Sequence, residues 1–290
     1  MSEMIKHPRS SMPQAPNLSL LVAVVVIFTV SLPAAAHGPG LDEIDHLTTQ
    51  IARDGEQAVL YAKRAQVYQD NHMWREAMSD FDRAAELDSQ NPQYDLDRAQ
   101  LLFEAGEFLR ALDFTNLYLL RHASNHEALL IRARCYRGLE QYQRSVESYR
   151  LALAELSALE GSPMPEWYIE FADTWLLAGE KQNALQVLRE GIVHLGALGV
   201  FELKAAELEV DLGMYDAALA RIDQLLSQAQ RKDFWLTRRA DILLKAGRDE
   251  EAQQTYEQAY EALQGLPPRL QNLPVSIELA NRLQQQISQQ

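Results

Sequence analysis

The dipeptide Arg64-Ala65 returns as Arg98-Ala99 and Arg132-Ala133, each copy 34 residues after the last, and again as Arg239-Ala240. A second small residue keeps the same step through Ala77, Ala111 and Ser145, and then through Ala184, Ala218 and Ala252. Only the gap from Ser145 to Ala184 departs, at 39 residues. The extra residues fall in LSALEGSPMPEW, where Gly161, Pro163 and Pro165 mark a longer loop or an extended helix end. A period of this length requires one supersecondary unit stacked on itself, because a single unit cannot bury its apolar face alone. The chain therefore reads as three repeats, an insertion, and three more.

Each unit reads as two helices. Tyr61, Ala65 and Tyr68 share one helical face at i, i+4 and i+7, and Ala77, Phe81 and Ala84 do the same. Gly106, Gly179, Gly213 and Gly247 stand at the break between the two, where a helix end calls for a left-handed residue. Asn91-Pro92 closes one unit and opens the next. Thirteen Gly and eleven Pro in 290 residues are too few for a strand-and-turn architecture, whereas helix formers abound. Arg64 is expected to pair with Asp80 on the antiparallel helix, within about 4 Å.

On these residues, with the closing Leu87-Asp88, the chain resembles a tetratricopeptide repeat protein over residues 58–263. Thr115 with Tyr118, Lys181 and Glu209 depart from the usual pattern. The resemblance implies an all-α, right-handed superhelical solenoid. Its parts are a capping helix in 37–57, repeats 1–3 in 58–159, repeats 4–6 in 160–264, and a capping helix in 265–290. Leu41, Ile44, Leu47 and Ile51 make the first cap amphipathic, and Val275 to Ile287 form the second. Polar caps are needed because an open solenoid end exposes apolar surface.

Residues 1–36 differ from the rest. Lys6 and Arg9 precede the apolar run Leu18 to Leu32, and Ala34, Ala35 and Ala36 follow. This is the pattern of a secretory signal peptide cut after Ala36, and it predicts an exported, periplasmic protein. An uncleaved membrane anchor is the alternative, but the run is shorter than the roughly 20 residues that span a bilayer. With Glu3, Lys6 and Arg9 removed, the formal charge passes from −14 to −15. That sign excludes a general binder of nucleic acid and adhesion to anionic lipid. A single cysteine, Cys135, allows no internal disulfide.

Catalytic signatures are missing: there is no G-x-S-x-G, no phosphate-binding glycine loop, no H-E-x-x-H and no cysteine pair. No enzyme, cofactor or resident metal is expected. Cys135, within RARCY, reads as a packing residue, and Trp74, Trp167, Trp175 and Trp235 as aromatic packing. His122 and His126 straddle an inter-repeat loop. His37 at a mature N-terminus offers an imidazole and an amine to copper, which defines an alternative metal-handling function. A structural subunit of an envelope assembly is a further alternative.

Tetratricopeptide arrays line a concave groove with the first helix of each repeat, and the resemblance implies that another protein or peptide binds there. One residue past each small alanine, the groove carries Gln66, Gln100, Arg134, Asp173, Glu207 and Asp241. Phe103, Arg137, Glu170 and Asp211 neighbour them. The second half is acidic, which predicts a partner with a cationic segment. Arg134 and Arg137 are predicted to hold an acidic group near the insertion.

Overall fold

The computed structural model describes residues 39–289. The predicted signal peptide and His37 lie outside them. Among the described residues the fold is entirely helical. A first helix, α1 (Pro39–Asp54), precedes six antiparallel pairs. These are α2 (Ala58–Asp70) with α3 (Trp74–Leu87), α4 (Gln93–Glu104) with α5 (Phe108–Leu119), and α6 (His126–Gly138) with α7 (Tyr142–Ala158). After the insertion come α8 (Pro165–Leu177) with α9 (Lys181–Leu195), α10 (Gly199–Asp211) with α11 (Tyr215–Gln228), and α12 (Asp233–Lys245) with α13 (Asp249–Gln264). A short α14 (Pro268–Gln271) and a final α15 (Pro274–Ser288) complete the array. It is the helical solenoid expected from the period.

The small residues set the spacing. Ala65, Ala99, Ala133, Ala172, Ala206 and Ala240 are at most 1% exposed, as are Ala77, Ala111, Ser145, Ala184, Ala218 and Ala252. The paired helices close directly on these positions, so their separation is fixed by the absence of side chain. Ser145 enters this apolar slot because its hydroxyl donates to the Ala133 carbonyl at 2.7 Å, so no polar atom is left unpaired.

Every turn inside a repeat has the same form. Six residues, His72, Gly106, Glu140, Gly179, Gly213 and Gly247, have φ between +58° and +82°. Each is followed by an amide that donates five residues back, as in Glu107 N to Leu102 O at 2.8 Å and Met214 N to Glu209 O at 2.7 Å. This is the Schellman closure of a helix C-terminus. Glycine adopts it freely in four repeats, while His72 and Glu140 carry a side chain in the left-handed region.

The recurring arginines belong to this framework. Arg64 pairs with Asp80 as expected, Nε to Oδ2 at 2.6 Å, and Nη2 reaches Oδ1 at 2.8 Å. Each equivalent reaches the residue sixteen positions on. Arg98 lies over the Phe114 ring at 5.0 Å, Arg132 donates to Ser148 at 3.1 Å, and Arg239 donates to Thr255 at 3.2 Å.

One interruption of the apolar core has a charged replacement. Phe201, Ala205 and Leu208 of α10 pack towards the preceding repeats, while Ala206 packs towards the last one. Between them Glu209 is fully buried in a slot that other repeats fill with an aromatic or leucine. Arg189 and Arg221 each donate to it at 2.9 Å, and Arg221 also grips the buried Glu202. A buried carboxylate needs such partners, since removing them would strand its charge.

At the insertion, α7 runs to Ala158 and residues 159–164 form the loop, with Pro165 opening α8. The sequence alternatives, longer loop or extended helix, are thus both realised. At the far end Leu283 of α15 is fully buried, and Arg231 joins Asp233 to Ser276.

Candidate functional site

Stepping along the first helices from each buried alanine places the expected residues on one face. Gln66 and Glu207 are exposed, and Gln100, Arg134, Asp173 and Asp241 are half-buried. Their charges are not free. Asp173 accepts Lys204 Nζ at 2.6 Å, and Asp211 accepts Lys181 Nζ at 2.7 Å. Asp241 accepts Arg282 Nη2 at 2.6 Å and the Tyr256 hydroxyl at 2.8 Å. Burial, and then Asp241, push the Tyr256 hydroxyl well above the usual phenol range, so it stays a donor.

This corrects the expectation of an open acidic ladder. Two of its three rungs, Asp173 and Asp241, are neutralised within the chain, and only Glu207 has no ion pair among the described residues. Arg134, expected to hold a partner's acid, holds Glu170 instead, Nε to Oε2 at 2.8 Å. Burial disfavours its charge, but Glu170 more than restores it and raises Arg134 above its ordinary value. Arg137 stays half-buried, without an ion pair among the described residues, in a shallow pocket of about 390 Å³ with Phe103. Gln66 and Gln100 are tied to Asp70 and Glu104 one turn on.

The pairs surround an apolar trough in repeats 4–6. A cavity of about 790 Å³ opens there, within the size range of ligand pockets, roughly 300–1,000 Å³. Leu176, Val210 and Leu244 line it, one from each first helix and 34 residues apart. Leu203 adds to the floor, and Arg282 and Gln286 of α15 close one end. Repeats 1–3 carry Gln69, Phe103 and Arg137 at the corresponding step, so the apolar series belongs to the second half alone. Counting four residues past each alanine instead of one finds this series in the sequence.

A second cavity, about 810 Å³, lies between α3 and α4 and is lined chiefly by charged side chains, among them the paired Arg64 and Asp80. Among the described residues, no cluster of three His, Cys, Asp or Glu is placed to hold a metal ion, and no helix is long and apolar enough to cross a membrane. Cys135 is fully buried, and burial pushes its thiol up to about 12. His122 lies in the loop between α5 and α6, and His126 opens α6.

Two family profiles match the chain: a tetratricopeptide repeat-like domain over residues 172–273 and a tetratricopeptide repeat over 126–154. Among solved structures, a tetratricopeptide repeat protein from Parabacteroides merdae is 18% identical, with 84% of this chain and 92% of that one covered and a TM-score of 0.51. YrrB, described as a TPR protein with an unusual peptide-binding site, is 16% identical over 71% of this chain and 97% of its own, with a TM-score of 0.51. MamA is 13% identical over 60% and 93%, with a TM-score of 0.52. A search of curated protein sequences gives no match. Residues 126–154 and 172–273 thus carry tetratricopeptide repeats, and the described residues share the fold of these tetratricopeptide repeat structures. Apart from Arg282 and Gln286, the lining of the trough falls inside the longer of the two matched segments.

Proposed function

We propose that this protein is an exported, non-catalytic scaffold that binds a segment of another protein in the trough of repeats 4–6. The observation that carries this reading is the row Leu176, Val210 and Leu244, which leaves apolar surface open beside the ion pairs Lys204–Asp173 and Arg282–Asp241. Leu244 is exposed, and Leu176 and Val210 rest on the core with part of their surface still facing the cavity; burying such surface is worth about 25 cal/mol per Å². The likeness to YrrB, itself described as carrying a peptide-binding site, supports the same use of the fold. Export is read from the charged start, apolar run and Ala34 to Ala36.

The test is capture by chemical cross-linking in an envelope extract, comparing the native chain with Val210→Asp and Leu244→Asp together. The variant is expected to stay folded by circular dichroism and to lose the species that the native chain retains. Undiminished recovery of the same species by a folded variant would remove the trough from the binding surface.

A further inference from the structure

The trough carries unequal free charge on its two walls. On the α10 wall Asp211 is held by Lys181, and Lys204 is spent on Asp173. Glu207 stands exposed between them, with no ion pair among the described residues. On the α12 wall Asp241 is held by Arg282, whereas the exposed Arg238 and Lys245 have no ion pair among the described residues. Arg238 is occupied only by the face of Phe234, at 5.4 Å. The open balance is two cations against one carboxylate, although the whole chain is acidic.

The spacing adds a shape. Arg238 and Lys245 are seven residues apart on α12, which is two turns or about 10 Å along the axis. Leu203 and Val210 are seven apart on α10, and both line the cavity. A helix lying in the trough presents its own residues i and i+7 with the same step to either wall.

We propose that the occupant is an amphipathic helix of a partner protein, its apolar stripe on Leu203, Val210 and Leu244 and its carboxylates, seven residues apart, on the flank facing Arg238 and Lys245. This rests on the groove-binding reading above and specifies what fills the groove. A cationic helix meets only Glu207 as a free counterion and faces Arg238 and Lys245 unpaired. The net charge of the chain repels an acidic helix at long range, but beyond about 8–10 Å that repulsion is screened at physiological salt. The preference therefore comes from short-range pairing at the trough wall and weakens as salt rises.

The experiment uses the full chain and three labelled helical peptides that share one leucine stripe and carry Glu, Lys or Gln along a single flank, with anisotropy giving each Kd. The Glu peptide is expected to bind about tenfold more tightly than the Lys peptide, a difference of about 1.4 kcal/mol. Arg238→Glu with Lys245→Glu, both exposed and checked by circular dichroism, is expected to reverse that order. Equal binding of all three peptides, abolished by Val210→Asp, overturns the charge assignment and leaves the groove reading standing. Tightest binding by the Lys peptide overturns it in favour of Glu207 and its acidic neighbours. Binding by none of them beyond the level of the Val210→Asp variant overturns the groove reading and this proposal with it.

Discussion

Arg134 grips Glu170 across the insertion, with Nε 2.8 Å from Oε2 and Nη2 3.2 Å from Oε1, while Tyr149 donates its hydroxyl to the same Oε2 at 2.9 Å. The two residues belong to repeats that the sequence separates by its one irregular step. A forked, hydrogen-bonded pair three-quarters buried on both sides is thus the polar fastening between the two halves of the array.

Replacing Glu170 by Ala leaves the Arg134 charge and the Tyr149 hydroxyl without their shared acceptor. A charged hydrogen bond lost at such a site costs about 2 kcal/mol. For a chain of this size that lowers the melting temperature by about 4–8 °C. Calorimetry checks it, and an unchanged melt would show that the halves are held by apolar packing alone.

The turns offer the opposite sign of change. Glu140 is exposed and sits at φ +58°, where four equivalent positions have glycine. Left-handed backbone costs a side-chain-bearing residue roughly 1–2 kcal/mol, and glycine gives back about 0.5–1 in the unfolded chain. Glu140→Gly is expected to stabilise by about 0.5–1 kcal/mol, raising the urea midpoint. His72→Gly gains less, because its ring also packs on Trp74 at 5.1 Å. A lower midpoint for Glu140→Gly would contradict the strain argument.

Cys135 is expected to resist thiol reagents at pH 8 in the folded chain and to react once the chain is unfolded. Burial raises its value from 9.0 to about 12, so the folded thiol stays protonated while the unfolded one ionises above pH 9. Between those values ionisation favours the unfolded chain, and the contribution to stability falls as pH rises. Rapid labelling of the native protein would refute the burial.

If the chain is exported as proposed, intact mass spectrometry of the exported form gives an N-terminus at His37. Retention of Met1 in the membrane fraction would replace the cleaved leader by an anchor.

The framework was readable in the sequence because it repeats. The buried alanines, the glycine turns and the pairing of Arg64 with Asp80 all lie within one unit, where helical periodicity fixes which faces meet. The charge state of the groove was not readable. Lys181 with Asp211, Lys204 with Asp173 and Arg282 with Asp241 join residues 30 to 41 apart, with no fixed offset. Such pairs depend on how one repeat is set against the next, and a list of acids at single positions cannot show it. Glu209 is a similar case: a charged residue in an aromatic slot makes sense only beside Arg189 and Arg221.

The last helix closes the core with Leu283 and walls the trough with Arg282 and Gln286. A linear array comes apart from its ends, each unit being steadied only by its neighbours. Because the wall of the trough is also the end of the array, occupancy and fraying are two readings of one equilibrium. A guest in that trough tightens α12 to α15 without any rearrangement, and its arrival is legible as slowed amide exchange at the tail.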